Sequence, residues 1–265
     1  MPPTVIEKSL HYNGEVEILF YPNSHRYKLA GEKDYLIGVT TATGMLDKSR
    51  PLTIWATKLT GQYLIDMLNR KEPITEEQIW VAVNQHNEKR DEAAGKGTLV
   101  HKWAEAFAHG EALPVPEDEQ VRNGTLAFLK WVKENDIRFV SNEKRVYSRK
   151  YKYVGTMDLD FTMGKDENHT ILHPGDYKTA SGIYPEMAFQ VSAYQNAMTE
   201  EHGTIYGDKC IIRFDKETGE FHEKWFKREE HEGHFRAFLA LLEVKKQMKV
   251  WDKLHNEYLK KFPQE

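Results

Sequence analysis

Apolar and polar residues alternate at strand spacing near the N-terminus and then recur at helix spacing through the rest of the first half. Residues 16–20 and 26–29 are rich in strand formers and flank a Pro-Asn-Ser turn, which predicts a β-hairpin. Beyond them, large apolar residues return about every fourth position, which is the period of a helix. Helices are predicted in this half over residues 54–68, 75–94 and 118–135.

The second half of the chain begins with strands and ends in a long helix. Strands are predicted over residues 139–147, 151–161, 170–177, 210–214 and 221–225, and the closing helix over residues 229–260. A turn-like cluster at residues 164–168 predicts that two of these strands form an antiparallel hairpin. The order of elements predicts an α/β fold, with a central mixed β-sheet flanked by helices and a mostly helical N-terminal lobe. We expect residues 1–94, the N-terminal hairpin and helical lobe, to form one compact unit with residues 95–265, the core with its C-terminal helix.

Composition narrows the class of protein. The chain has 265 residues, of which 40% are hydrophobic and 29% charged, and its mean hydropathy is −0.69. No apolar run reaches membrane-spanning length, and the first residues resemble neither a signal peptide nor a transit peptide. We therefore expect a soluble, cytoplasmic protein with no membrane partner. Cys210 is the single cysteine, so the chain cannot supply the four thiolates of an iron–sulfur cluster.

The net charge of −4 is not that of a protein that binds nucleic acid by its overall electrostatics. Positive charge is instead concentrated in one short run, at Lys144, Arg145, Arg149, Lys150 and Lys152. Such a run is usually a solvated surface. Because it leads into the acidic strand pair described next, it also allows a groove that follows phosphates.

Two acids and one lysine fall on the predicted hairpin. Asp176 and Lys178 are two residues apart on a strand, so their side chains share one face. Asp158 can lie opposite Asp176, and Asp160 shares its face; we prefer Asp158 because the preceding Gly155 permits close backbone approach. Two carboxylates can hold Mg²⁺ or Mn²⁺, and a basic group beside the bound water completes the set that phosphodiester hydrolysis requires.

Two helices add further candidates. Gln190 and Tyr194 are four residues apart on the helix after the hairpin, so both can reach a phosphate from one helical face. His101 and Glu105 have the same spacing on a helix that we expect to start at Thr98, after a Gly-Lys-Gly turn. A neutral imidazole on this helix could be a further metal ligand, and it would suit Mn²⁺ better than Mg²⁺.

The order of these motifs resembles a known family. His101, Gly155-Thr156-Met157-Asp158, Asp176-Tyr177-Lys178 and the pair Gln190 and Tyr194 resemble, in this order, the RecB-like branch of the PD-(D/E)XK nuclease superfamily. The resemblance covers residues 95–214, and it departs from the namesake pattern at Met157, which stands where that pattern has proline.

The resemblance implies a role for each matching residue. Asp158, Asp176 and the carbonyl of Tyr177 would bind the metal, and His101 would add a ligand. Lys178 would position the attacking water. The branch often carries a further glutamate on the preceding strand, and Glu143 matches it here.

The function that the resemblance implies is a Mg²⁺- or Mn²⁺-dependent DNA exonuclease without an iron–sulfur cluster, of the phage, bacterial or mitochondrial-genome-maintenance type. Its partners would be DNA, as single strands or duplex ends, and a recombination or single-strand-binding protein, in recombination, repair or phage DNA processing. Two alternatives stay open, namely a structure-selective endonuclease or nickase with the same site and a non-catalytic nucleic-acid-binding module. The intact set of Asp158, Asp176 and Lys178 argues against the binding module.

Overall fold

The computed structural model describes residues 6–166 and 169–262. Within these ranges the chain forms two β-sheets and six α-helices. The strands are β1 (Glu7–His11), β2 (Val16–Tyr21), β3 (Arg26–Leu29), β4 (Ile37–Gly38), β5 (Ile137–Ser148), β6 (Tyr153–Met163), β7 (His173–Lys178), β8 (Lys209–Phe214) and β9 (Phe221–Phe226). The helices are α1 (Val39–Thr43), α2 (Ser49–Asn69), α3 (Glu76–Ala108), α4 (Glu119–Glu134), α5 (Pro185–His202) and α6 (His231–Lys261).

Strand β6 lies inside a six-stranded mixed sheet. β5 pairs with it in antiparallel fashion along one edge, while β4 (parallel) and β7 (antiparallel) share the other edge. Beyond β7 the sheet continues with β8, parallel to β7, and with β9, antiparallel to β8. This central mixed sheet, flanked by helices, confirms the predicted fold class.

Helices cover both faces of the central sheet. α3 and α4 pack on one face, against a buried cluster that includes Phe128, Trp131 and Phe214. α1, α5 and α6 cover the other face, where the buried cluster includes Tyr153 and Phe238. In the described ranges, no helix combines the length and the hydropathy needed to cross a membrane.

A second, three-stranded sheet is built from β1, β2 and β3. Ile18, Phe20 and Tyr27 of this N-terminal sheet pack against Tyr147 and Val154 of the β5–β6 hairpin. The side of the β5–β6 hairpin nearest the acidic residues is therefore covered by the N-terminal part of the chain.

Part of the basic run on the β5–β6 hairpin is used to hold this N-terminal sheet. Arg145 forms an ion pair with Glu7, and Arg149 Nη2 lies 2.8 Å from Glu15 Oε2. The guanidinium of Arg145 also lies over the Phe20 ring, 4.8 Å from its centroid. These two arginines are therefore paired within the protein.

One predicted helix boundary is wrong. α3 is continuous, so the expected turn and the helix start at Thr98 do not exist; Thr98 Oγ1 donates instead to Ala94 O within the helix, at 3.0 Å. Gly97 has a packing role, because a Cβ there would lie 2.5 Å from Thr179 Oγ1, just after β7. The expected border between lobe and core, at residues 94 and 95, lies inside this helix.

The predicted hairpin of β6 and β7 is confirmed as antiparallel, with Leu159 opposite Gly175. Of the turn predicted at residues 164–168, Glu167 and Asn168 lie outside the described residues, and residues 164–166 form a turn directly after β6.

Candidate active site

The two acids singled out from the sequence meet where β6 and β7 separate. Leu159 pairs with Gly175, and this register sets Asp158 opposite Asp176. Next to this point the Tyr177 N–H donates to Asp158 Oδ2 at 2.8 Å, so a carboxylate takes the place of a strand carbonyl. The side chain of Asp158 is 13% exposed and that of Asp176 is fully buried. The gap between the two strands therefore holds two carboxylates with little water around them.

Asp176 is held by two neighbouring side chains. Gln190 Nε2 donates to Asp176 Oδ1 at 3.0 Å, and Lys178 forms an ion pair with Asp176 Oδ2. Apart from this ion pair, Oδ2 accepts no well-oriented hydrogen bond from any described residue. The structure thus brings Lys178 and Gln190 to the same carboxylate, from β7 and α5 respectively.

Tyr194 closes one side of the site. Its hydroxyl accepts a hydrogen bond from Gln190 Nε2 at 3.0 Å, and the residue is only 2% exposed. A Cβ at position 155 would lie 2.5 Å from Tyr194 Cε1, so Gly155 allows the ring to pack directly against β6. Gly155 was expected to permit close approach, and the group that approaches it is this ring.

His101 reaches the site from α3. Its Nδ1 lies 3.8 Å from Asp158 Oδ2, and its ring meets the Tyr177 ring edge to face, with centroids 6.0 Å apart. Burial, assisted by the charge of Lys178, lowers the pKa of His101 to about 4. The imidazole is therefore neutral at pH 7 and can offer a lone pair, as a metal ligand must.

Glu143 and Glu105 join this group of acids. The register of β5 against β6 sets Glu143 opposite Asp158. Burial is the main reason that the pKa of Glu143 rises to about 8, and the charges of Asp158 and Glu105 add to the rise. Glu143 also has a left-handed backbone, with φ of 46°, which is uncommon for a residue other than glycine and is often found at functional sites.

Asp160 lies in a different polar cluster. Its Oδ2 accepts hydrogen bonds from Ser141 Oγ at 3.0 Å and from Tyr206 OH at 3.1 Å. Burial raises its pKa to about 6. Of the two aspartates that the strand pattern could not separate, Asp158 is the one that the fold places beside Asp176 and Lys178.

The electrostatics of the site favour an added cation. Burial raises the pKa of both Asp158 and Asp176, and Lys178 opposes the rise in each case. Burial alone would lower the pKa of Lys178, but the charges of Asp176 and Asp158 hold it above its ordinary value. The single ammonium of Lys178 thus offsets the charge of two buried carboxylates, and Glu143 lies beside them.

The donor atoms suit a hard divalent cation. No three His, Cys, Asp or Glu side chains within residues 6–166 and 169–262 are grouped as a ready metal cage. Mg²⁺ needs no such cage, because it commonly takes one or two protein carboxylates and completes its shell with water and substrate phosphate. The pair Asp158 and Asp176 meets this requirement, and the buried Asp176 Oδ2 lacks a well-oriented hydrogen-bond donor. The residues present therefore fit a hard divalent cation.

A small cavity opens beside these side chains. Its volume is about 190 Å³, and its lining includes His101, Glu143 and Asp158 of the predicted set. This volume can hold a phosphate group with a few waters, since one water occupies about 30 Å³ of liquid. Sequence reasoning missed three polar lining residues, namely His25, Tyr27 and Thr40.

Tyr27 shows why these residues were missed. Its hydroxyl lies 2.8 Å from Thr156 Oγ1, in hydrogen-bonding contact across two different sheets. That contact depends on how the N-terminal sheet docks on the central one, and nothing in the sequence around Tyr27 signals it.

Comparison with known proteins leaves the chain without an assigned family. No protein-family profile matches it, and no curated protein does. Among solved structures it is similar to the crystal structure of an alkaline exonuclease from Laribacter hongkongensis, at 12% sequence identity and a TM-score of 0.35. The alignment covers 83% of this chain and 94% of that chain. A likeness of this size carries no argument about activity, so what the site can do follows from its own side chains.

Proposed function

We propose that the protein is a Mg²⁺- or Mn²⁺-dependent deoxyribonuclease that hydrolyses phosphodiester bonds at the ends of linear DNA. The observation that carries the proposal is the convergence of Asp158, Asp176 and Lys178 in the gap between β6 and β7, beside a cavity of phosphate size. A structural salt bridge needs one acid and one base, whereas this gap holds two buried acids for one lysine. That imbalance is what a cation-binding hydrolase requires.

The proposed chemistry divides between a bound ion and the chain. A divalent ion in this site would supply Lewis-acid polarisation and a water of lowered pKa. Asp158 and Asp176 would hold it, together with the carbonyl of Tyr177 and, where Mn²⁺ is used, His101. The ammonium of Lys178 would orient the attacking water and offset the negative charge that grows on the phosphoryl oxygens.

Gln190 has a positioning role in this proposal. Its amide donates to Asp176 Oδ1 and to the Tyr194 hydroxyl, so it fixes the carboxylate from one side while Lys178 fixes it from the other. Gln190, Tyr194 and Asp158 all line the cavity. Contact of Gln190 with the substrate phosphate is part of the proposal, whereas the Tyr194 hydroxyl, which the sequence suggested for the same contact, supports Gln190.

The small cavity favours access by a single strand. Tyr27 and His101, from the N-terminal sheet and α3, are both part of its lining. The preference for linear ends rests on the sequence resemblance. The cellular setting proposed here, DNA recombination, repair or phage DNA processing in the cytoplasm with a recombination or single-strand-binding partner, rests on the sequence resemblance.

The test is digestion of end-labelled linear and circular DNA, single-stranded and duplex, in Mg²⁺, Mn²⁺ or EDTA. Linear DNA should be degraded and circular DNA spared, and EDTA should stop the reaction. Asp176→Asn should lose about 100-fold or more of the activity, since it removes a charged ligand. Asp160→Asn is the matched control, because Asp160 is a buried aspartate outside the site.

Two results would count against the proposal. Cleavage of closed circles would favour the endonuclease or nickase alternative. Equal loss in Asp176→Asn and Asp160→Asn, or no metal-dependent cleavage of any DNA by the wild-type protein, would remove the site assignment.

A further inference from the structure

A large open groove lies between the N-terminal sheet and the second half of α6. Its volume is about 920 Å³. One wall is the segment from Leu29 to Ile37, and the other is α6 from Lys246 to Lys260. Five lysines line it, namely Lys152, Lys246, Lys249, Lys253 and Lys260, against the three acids Glu32, Asp34 and Glu257. We name it the lysine groove. An excess of positive charge here contrasts with the net charge of −4 of the whole chain.

The lysines are not neutralised by close ion pairs. Lys246 Nζ donates to Tyr151 O at 3.1 Å, and Lys249 Nζ donates to Tyr35 O at 3.0 Å. Neutral carbonyls orient these two ammonium groups without cancelling their charge. Among the described residues, the one carboxylate that contacts these lysines is Asp34, at 4.0 Å from Lys249, and Asp34 is largely exposed. Lys152 and Lys253 form no ion pair with another described residue, so their charges face solvent.

The lysine groove begins close to the candidate active site. Ile37 and Lys152 line the groove, whereas Val39 and Gly155 line the active-site cavity. These residues lie on β4 and β6 or directly beside them, and the two strands pair with each other. Two or three residues along a strand span about 7–10 Å. Successive phosphates of one strand rise about 3.4 Å along the axis of B-form DNA and lie farther apart in an extended strand, so a single strand covers this distance in at most about two or three nucleotides.

We propose that the lysine groove binds the sugar-phosphate backbone of the nucleic-acid strand whose end lies in the active-site cavity. This inference rests on the proposed function and deepens it, because it assigns the path of the substrate beyond the scissile bond. The spaced point charges of lysine suit a phosphate chain without reading its sequence.

An aromatic side chain at the groove favours nucleic acid over an acidic polypeptide. Tyr35 is 39% exposed, and the side chains of Arg26 and Lys28 lie 5.2 Å and 5.8 Å from its ring centroid. An exposed ring among cations is the combination that single strands use, where bases stack while phosphates pair with lysine and arginine.

The experiment removes two of the groove charges and measures binding separately from cleavage. The variant is Lys152→Asn with Lys253→Gln, which leaves Lys246 and Lys249 and their carbonyl bonds in place. The control is Lys71→Asn with Lys133→Gln, which makes the same charge change at exposed sites. Lys71 shares the left-handed backbone of Lys152, with φ of 56° against 59°, so asparagine is equally tolerated at both.

Binding of a fluorescent 20-nucleotide single strand is titrated in EDTA at several salt concentrations. The groove variant should bind several-fold more weakly, and its slope of log affinity against log salt should fall by about 1.4, which corresponds to two lost phosphate contacts. The control pair should behave like the wild type. Cleavage of a dinucleotide by the groove variant should be unchanged, because its one phosphodiester lies in the active-site cavity and no further phosphate extends to the groove.

The outcomes separate this inference from the proposed function. Equal weakening in both variants, or no weakening in either, overturns the groove assignment even when the wild type cleaves DNA. Binding of poly-glutamate is titrated in parallel. If the groove variant keeps its DNA affinity but loses its affinity for poly-glutamate, the occupant is an acidic polypeptide, and this outcome also overturns the groove assignment. Absence of metal-dependent cleavage by the wild type, with groove-dependent binding intact, rejects the nuclease and leaves the groove as a nucleic-acid-binding surface.

Discussion

Gln190 donates its amide to Asp176, 3.0 Å from Nε2 to Oδ1, and so connects the helix α5 to the most buried acid of the site. The same nitrogen donates to the Tyr194 hydroxyl. A single amide therefore fixes the orientation of Asp176, whose other oxygen is left to Lys178. The Gln/Tyr pair noticed in the sequence is thus linked by hydrogen bonds to the carboxylate that it was expected to accompany.

Replacement of Gln190 tests this positioning role. Gln190→Leu should lower metal-dependent cleavage about 10- to 100-fold and raise the metal concentration needed for half-maximal activity, because Asp176 loses its orienting donor. Activity against Mg²⁺ and Mn²⁺ concentration is the measurement. Gln195→Leu is the control, since Gln195 is a buried glutamine on the same helix. Equal loss in both variants would show that helix packing, and not the orientation of Asp176, is responsible.

The sequence predicted the β6–β7 hairpin and the side of it that carries the acids. A strand has a period of two, so Asp176 and Lys178 had to share a face, and the observed pairing of Leu159 with Gly175 sets Asp158 opposite Asp176. Local pattern alone could not separate Asp158 from Asp160. The distinction comes from Tyr206, which lies outside the hairpin and bonds Asp160.

The error at the start of the His101 helix has a physical reason. Gly95 and Gly97 suggested a turn, because each glycine costs about 1 kcal/mol in a helix. Gly97 is retained inside α3 because a Cβ there would meet Thr179 Oγ1 at 2.5 Å. Packing against the end of β7 therefore outweighs local propensity, and this close approach brings α3, and His101 with it, to the metal-site candidates.

His101→Ala tests the contribution of the imidazole. We expect the ratio of Mn²⁺-supported to Mg²⁺-supported cleavage to fall by about tenfold, because an imidazole ligand suits Mn²⁺ and Mg²⁺ prefers oxygen. His86→Ala is a control on the same helix, since the ring of His86 contacts Val83 O and Trp55 and none of the site residues. An unchanged ratio would show that His101 lines the cavity without binding the metal.

Tyr194→Phe distinguishes a substrate contact from a structural one. The sequence-based role predicts that loss of a phosphate contact weakens DNA binding by about 1.5–3 kcal/mol. The buried hydroxyl instead bonds Gln190, so we expect the free energy of unfolding to fall by about 1 kcal/mol, with DNA affinity in Ca²⁺ nearly unchanged. Urea denaturation and DNA titration are both needed. A large loss of DNA affinity at unchanged stability would restore the substrate role.

Lys209 provides a test of the fold away from the site. It is 1% exposed on β8, and its Nζ has no hydrogen-bond partner among the described residues. The nearest acids have other partners: Asp208 accepts from Lys227 and Arg228, and Glu230 accepts from the Lys227 N–H. Burial lowers the pKa of Lys209 from its ordinary value of 10.5 to about 8, although Glu230 and Asp208 oppose the change.

Lys209→Met should therefore stabilise the protein at pH 7, by up to roughly 3 kcal/mol, because it removes a charge whose burial costs 1.36 kcal/mol per pKa unit. Between pH 8 and 10.5 the unfolded lysine holds more protons than the folded one, so wild-type stability rises with pH in this window and the advantage of methionine shrinks. Urea denaturation of both proteins at pH 7 and pH 10.5 measures the difference. Lys224→Met, at an exposed site on the neighbouring strand, should show no such pH dependence. Destabilisation by Lys209→Met at pH 7 would mean that the buried ammonium has an acceptor in solution.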